Sequence, residues 1–194
     1  MGEMRERMLR GELYNGTDPE SRAEFARVQE LLAQFNGSAP RAWDERDALL
    51  RRTLTHVGEG VVVRPPFYCE YGEISIGDRT FVNVDAVVLD VAPVTIGAAC
   101  QIATRVQLLT ATHPIDPESR RLGWESAEPI TIADNVWLGG GVIVCPGVTI
   151  GQDTVVGAGA VVTKDLPAGV VAAGVPARVL REIGAQDRVE IPES

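Results

Sequence analysis

Through the second half of this chain an aliphatic residue returns every sixth position. Ile132, Leu138, Val144, Ile150, Val156 and Val162 lead successive hexads, and four places after each stands a further small or aliphatic residue: Val136, Val142, Val148, Thr154, Ala160 and Leu166. Two shorter runs precede them, Ile76, Val82, Val88 and then Ile96, Ile102, Leu108. Neither an amphipathic helix, with a period of about 3.6, nor an alternating strand repeats in this way. A sustained hexapeptide period is the mark of a β-helix. It predicts a triangular coil of three short strands per turn, each leader pointing to the axis, with turns stacked as parallel strands about 4.8 Å apart. Small residues follow most leaders, at Ala133, Gly139, Gly151 and Gly157, with Cys145 and Thr163 as variants; the sequence reading ascribes these glycines to corners that need positive φ. The expected fold is mainly β, a left-handed parallel β-helix.

The first sixty residues carry a different pattern. Asp18-Pro19-Glu20 sets a capping residue before a proline at the first helical position, and Asn36-Gly37 supplies a stop after Val28, Leu31, Leu32 and Phe35. A second helix is expected from Asp44 to Leu54, with Trp43, Leu50 and Leu54 on one side. The chain thus divides into an α-helical N-terminal segment (residues 1–57), the β-helix (58–181) and a C-terminal tail (182–194).

A net charge of −9 disfavours a general nucleic-acid binder, which needs basic surface. An anionic ligand would need local cations, and Lys164, Arg178 and Arg181 lie close together near the C-terminus. Residues 1–10 hold no apolar stretch of a signal peptide, and no run reaches the length of a membrane span. Cys69, Cys100 and Cys145 are far apart and lack CxxC spacing, which argues against a disulfide framework and a structural zinc site. A cytoplasmic protein, with no membrane partner, is expected.

Two interruptions break the hexads. Val88 and Ile96 are eight apart, which predicts a widened corner around Asp90-Val91-Ala92-Pro93, and residues 112–129 form a polar, proline-rich excursion. Long loops on rigid scaffolds often carry function. Of the two histidines, His56 follows the second helix, whereas His113 opens the excursion.

At this point the sequence resembles the maltose, galactoside and nodulation-factor acetyltransferases of the hexapeptide-repeat superfamily, and the maltose enzymes most. The likeness rests on Gly11-Glu12-Leu13-Tyr14, Cys69-Glu70-Tyr71-Gly72, Leu89-Asp90-Val91, Thr110-Ala111-Thr112-His113-Pro114-Ile115-Asp116-Pro117, Asn135-Val136-Trp137-Leu138-Gly139-Gly140, Pro146-Gly147-Val148-Thr149-Ile150-Gly151, Val161-Val162-Thr163-Lys164-Asp165 and Ala173-Gly174-Val175-Pro176-Ala177-Arg178. It spans roughly Met4 to Arg181, and the His-Pro loop and helical N-terminus are specific to this branch.

The resemblance implies transfer of acetyl from acetyl-CoA, as cosubstrate and without a metal, to a sugar-like hydroxyl in a ternary complex. It assigns His113 as general base, with the neutral imidazole chemistry suited to that task. A backbone N–H near Gly140 would stabilise the oxyanion. Asn83 matches a position lining the acceptor site, although an asparagine is also a common corner residue. Glu70 and Asp90 match acceptor-pocket carboxylates; at Glu70 the family carries Asp or Ser, which puts the identity of the sugar in question. Asp18 matches an N-terminal acceptor contact loosely, and helix capping competes with that role. For the cofactor the likeness points to Gly140, Ala158, Thr163, Lys164, Arg178 and Arg181. Trp137 should point outward, either toward the cofactor or against a neighbouring subunit. The family's homotrimeric assembly is likewise implied. Asp116, Glu125 or a backbone carbonyl could orient His113.

Other readings share the scaffold. A γ-type carbonic anhydrase binds zinc through three histidines, whereas here His56 is expected in the helical segment and His113 alone in the coil. Acyltransferases that use acyl-carrier protein usually lack the helical segment and the His-Pro loop. A non-enzymatic scaffold would have no reason to hold His113, Asn83, Lys164 and Arg178 together.

Overall fold

The computed structural model of the chain describes residues 2–16 and 19–190; Asp18, with its expected cap and acceptor contact, lies outside them. Three parallel sheets wrap a single core. The first face stacks His56–Val57, Ile74–Ile76, Val94–Ile96, Ile130–Ile132 and Thr149–Ile150. The second stacks Val62–Val63, Phe81–Val82, Gln101–Ile102, Trp137–Leu138, Val155–Val156 and Val170–Ala173, with Arg178–Glu182 folding back antiparallel on the last. The third stacks Phe67–Cys69, Ala86–Leu89, Gln107–Leu109, Ile143–Val144 and Val161–Val162. The chain visits the faces in that order at every turn, which is the expected β-helix.

Every hexad leader points inward. None of Ile76, Val82, Val88, Ile96, Ile102, Leu108, Ile132, Leu138, Val144, Ile150, Val156 and Val162 is more than 4% exposed. Each such burial is worth about 1.5–3 kcal/mol. Thr154, the polar member of the leader-plus-four set, is fully buried, and its hydroxyl donates to the Pro167 carbonyl at 2.6 Å. Its polarity is therefore satisfied.

The glycines after the leaders have a different cause from the expected one. Gly77, Gly97, Gly139, Gly151 and Gly157 do not occupy the positive-φ region. A Cβ on Gly139 would lie 2.6 Å from the Ala158 nitrogen, and one on Gly77 2.7 Å from the Gly97 carbonyl carbon. Close approach of the next coil excludes a side chain there. Positive φ falls two residues later, at Arg79, Asp85, Ala99, Arg105, Asn135 and Asp153 as well as Gly141, Gly147 and Gly159. The corner strain that left-handed backbone imposes on L-residues is thus borne largely by non-glycine residues.

Of the three N-terminal helices, α1 (Glu3–Leu9), α2 (Pro19–Asn36) and α3 (Trp43–Thr53), the last two close the first coil. Helix α2 buries Val28, Leu31, Leu32 and Phe35 on one stripe, joining Val57, Val63 and Phe67 in the main core. Its amides also satisfy the open sheet edge. Asn36 donates to the Phe67 carbonyl and accepts from the Phe67 N–H, both at 2.9 Å, and Gln29 donates to the Cys69 carbonyl at 2.9 Å. In α3, Leu49 and Leu50 are buried with Leu54 just beyond it, but Trp43 is 59% exposed and lies against Arg46. Trp43 is therefore not part of the buried side that the sequence pattern assigned it.

The excursion is a β-ribbon. Ala111–Thr112 leaves the third face and pairs antiparallel with the returning Trp124–Ala127, and a short helix, α4 (Pro117–Arg121), forms the tip. On its other side Trp124–Ala127 pairs with Tyr14–Asn15 from the N-terminal segment. Met8, Tyr14, Val91, Ala92 and Ala127 make a second, separate apolar cluster beneath this sheet.

The outward residues distinguish the faces. The first presents His56, Ser75, Thr95, Thr131 and Thr149 in register. The second presents Val62, Phe81, Gln101, Trp137, Val155 and Val171, and the third Tyr68, Val87, Gln107, Ile143 and Val161. One face is hydroxyl-rich; two are largely apolar.

Two glycines separate the close-approach and backbone effects. A Cβ on Gly151 would press on the Pro167–Ala168 backbone, 2.7 Å from the Pro167 carbonyl carbon, whereas Gly159 has positive φ and open space. In urea titrations Gly151→Ala should cost about 3 kcal/mol and Gly159→Ala only about 1–2 kcal/mol. Equal costs would refute the assignment.

Candidate active site

The proposed site residues gather on two edges of the prism. Corners leaving the second face stack Asn83, Ala103, Gly139-Gly140 and Gly157-Ala158 above one another, because Val82, Ile102, Leu138 and Val156 are in register. Asn83 donates its backbone N–H to the Ile102 carbonyl at 2.8 Å, and its side-chain oxygen accepts from the Val84 N–H at 2.9 Å. Its amide nitrogen has no partner among the described residues. It opens onto a groove of about 140 Å³ lined by Phe81, Gln101, Ile102, Ala103 and Trp137.

Gly140 and Ala158 are the second residues of their corners. At the equivalent place after the first face, the N–H of Glu59 and of Ala98 is taken by the side chains of Asp78 and Asp134, each at 2.8 Å. No such carboxylate serves Gly140 or Ala158, whose N–H groups have no acceptor among the described residues. Two backbone donors one coil apart thus remain free to meet a ligand oxygen.

Corners leaving the third face carry Glu70, Asp90, the excursion with His113, and Thr163-Lys164. Asp90 is fully buried. Its carboxylate accepts from the N–H groups of Glu70 (2.6 Å), Tyr71 (3.2 Å) and Glu73 (2.7 Å). This corrects its assignment as a direct ligand for sugar hydroxyls. The two extra residues between Val88 and Ile96 turn the carboxylate inward, where it anchors the loop that presents Glu70.

Glu70 is half-buried, and its carboxyl is pushed up to about 7 by burial first and then by the nearby Asp90 and Glu125. Glu125 accepts a hydrogen bond from the buried Tyr14 hydroxyl at 2.7 Å. Burial and Glu125 together push the Tyr14 phenol far above its ordinary range. His113 is exposed and directly follows the paired Thr112. Thr110, three residues earlier, is buried, its hydroxyl donating to the Leu89 carbonyl and accepting from the Ala92 N–H. His113 therefore stands at the root of the ribbon, where the backbone is still held.

The basic trio divides. Lys164 and Arg178 line one depression of about 270 Å³ with Asp165, Leu166, Ala177 and Val179, and neither forms a salt bridge among the described residues. Thr163 is exposed beside Lys164. Arg181 instead forks onto Asp187, both contacts at 2.7 Å, and holds that carboxyl down at about 2. Arg181 lines a separate groove with Trp137, Val155, Val171 and Ile183. Its charge is already matched within the chain, which sequence proximity to Arg178 did not reveal. Trp137 is 53% exposed and touches both grooves of the second face.

Residues 7–58 match the maltose acetyltransferase hexapeptide capping motif, and residues 129–164 match the bacterial transferase hexapeptide (six repeats). Nodulation protein L of Rhizobium meliloti (strain 1021) is 47% identical over 90% of this chain and 96% of its own length. Galactoside O-acetyltransferase of Escherichia coli (strain K12) is 43% identical over 95% and 92%. The chain belongs to the maltose, galactoside and nodulation-factor O-acetyltransferase family. Solved structures agree: a galactoside acetyltransferase in complex with coenzyme A superposes with a TM-score of 0.93 at 41% identity, covering 96% of this chain and 94% of that one. A maltose O-acetyltransferase from Clostridium difficile 630 gives 0.92 at 41%, covering 93% and 97%. Within this acetyltransferase, Tyr14 and Glu125 are the site neighbours that hexad periodicity could not find, since strand pairing outside the β-helix brings them together.

The raised Glu70 carboxyl has a consequence for stability. Its folded-state value lies above the ordinary glutamate range near 4.3, so folding favours the protonated form. That contribution is complete below about pH 4 and is lost as pH rises through about 7. Thermal melts across this range should show the parent losing Tm relative to Glu70→Gln as pH increases; parallel profiles would refute the assignment.

Proposed function

We propose that this protein transfers acetyl from acetyl-CoA to a hydroxyl of a maltose/glucose-like or galactoside-like sugar, by direct attack in a ternary complex with His113 as general base. The observation that carries the reading is the division of the site between two edges. Asn83 and the free Gly140 and Ala158 amides stand on one, and His113, Glu70 and Lys164 on the other. A single prism separates these edges by the width of its third face. A second copy of the chain supplies the missing edge, and the two largely apolar faces are the surfaces that would join copies. The homotrimer of the sequence-based expectation uses both faces of each copy and leaves the hydroxyl-rich face in water.

The residues present suit acetyl-CoA. The unpaired Gly140 N–H would receive the oxygen of the thioester carbonyl as it gains charge, a contribution of about 2.7–4 kcal/mol for such a donor. Ala158 offers a second donor along the pantetheine arm. Lys164 and Arg178 provide paired cations for phosphates, whereas Arg181 would first have to leave Asp187. His113 takes the proton of the acceptor hydroxyl as the new oxygen–carbon bond forms. It returns that proton to the departing thiolate as the carbon–sulfur bond breaks, so CoA leaves as a thiol. Asn83 offers its free amide nitrogen to the reacting oxygen or the acceptor, and Glu70 accepts from acceptor hydroxyls. No helix among the described residues is long and apolar enough to cross a membrane, and the three cysteines are unpaired, which suits the cytoplasm.

Thiol release from acetyl-CoA with maltose, glucose, galactosides and chitin fragments tests the activity directly. No turnover with any of them, together with no CoA binding by calorimetry, would overturn the reading. His113→Ala should lower kcat by about two orders of magnitude or more with CoA affinity unchanged, while full activity would place the base elsewhere. Lys164→Ala and Arg178→Ala should raise the KM for acetyl-CoA about tenfold, the loss of one charge-assisted contact. The shared site has its own test. Co-expressed His113→Ala and Asn83→Ala chains should regain activity that neither homo-oligomer has, and failure to regain it would place both residues in one subunit's site.

A further inference from the structure

We propose that Glu125 is the positioning residue for His113 and that Tyr14, delivered by the N-terminal segment, fixes the orientation of Glu125. The inference rests on the reading of His113 as the base. Three adjacent strands carry it. Tyr14 pairs directly with Glu125, and Thr112 pairs with Ser126 on the opposite side of the same strand. Continuing that antiparallel register by one residue sets His113 across from Glu125. Directly opposed residues of an antiparallel pair project to the same side, about 4.5–5.5 Å apart. Tyr14, Glu125 and His113 thus form one cross-strand row. The first contact is made, the Tyr14 hydroxyl donating to one Glu125 carboxylate oxygen at 2.7 Å; the second is the proposal.

The competing carboxylate is tied to the tip of the ribbon through one of its two oxygens. Asp116 caps α4, accepting from both the N–H and the hydroxyl of Ser119 at 2.7 Å. The second oxygen of Glu125 has no partner among the described residues. A carboxylate there accepts the N–H of one ring nitrogen of His113, so the other nitrogen is left unprotonated to act as base. It also stabilises the imidazolium formed when that nitrogen takes the acceptor proton. The buried Tyr14 hydroxyl, 3% exposed as a residue, stays a donor throughout because burial and Glu125 oppose its ionisation.

This arrangement predicts an unusual response to an isosteric change. In Glu125→Gln the amide oxygen must face the Tyr14 hydroxyl, which turns the NH2 toward His113. The ring then accepts where it should donate, and its proton moves to the nitrogen needed as base. We expect kcat to fall at least about a hundredfold, with the KM for acetyl-CoA within about twofold. The 15N shifts of His113, read against only one other histidine, should report the opposite ring tautomer from the parent. In Tyr14→Phe/Glu125→Gln the amide is free to rotate, and kcat should recover about tenfold relative to Glu125→Gln. Unchanged kcat and tautomer in Glu125→Gln, alongside a disabled His113→Ala, would overturn the positioning role while leaving the base reading intact. A fully active His113→Ala would overturn both. No recovery in the double variant would remove Tyr14 from the arrangement.

Discussion

The spacing between successive coils, set by backbone hydrogen bonding at about 4.8 Å, is the constraint from which the rest of the molecule follows. It admits one inward side chain per strand, so the core is a column of single aliphatic residues rather than a layered interior. It also brings corners so close that a Cβ after the leader would strike the coil above, which is why Gly77, Gly139 and Gly151 stand where they do. The same stacking turns a corner's second amide outward. Aspartates close that amide at Glu59 and Ala98, whereas at Gly140 and Ala158 it has no acceptor among the described residues.

Much of this was legible in the sequence because the period is unusual and unbroken. The leaders, the helical cap, the widened corner and the excursion each left a signature in spacing or composition. What the sequence concealed were consequences of three-dimensional proximity. Asp90 reads as a polar residue near a site, yet its carboxylate is consumed by three backbone amides. Arg181 reads as a partner of Arg178, yet it faces a different groove and is neutralised by Asp187. Trp43 fits the helical stripe by spacing, but it stands at the first position of α3, beyond the surface that the coil covers. The glycine assignment failed for a related reason: both close approach and positive φ select glycine, and only geometry separates them.

The prism is also chemically directional. Outward residues on the first face are hydroxyl-bearing or His, which hydrate well and leave no adhesive stripe, whereas those of the second and third are largely aliphatic and aromatic. A β-helix with three such apolar faces would associate without limit. In the homotrimer proposed above, the polar face would confine association to two surfaces per copy, as a closed ring requires.

The ribbon's attachment to the N-terminal segment bears on how the chain reaches its native state. Coils that are consecutive in sequence can add one after another, each closing a loop of modest length. The Tyr14–Glu125 contact spans 111 positions, so its loop-closure entropy is met only once the intervening coils have drawn those regions together. The ribbon is therefore among the last parts to order. A chain whose coils are already stacked still lacks the third strand of this ribbon until its own beginning has folded back to meet it.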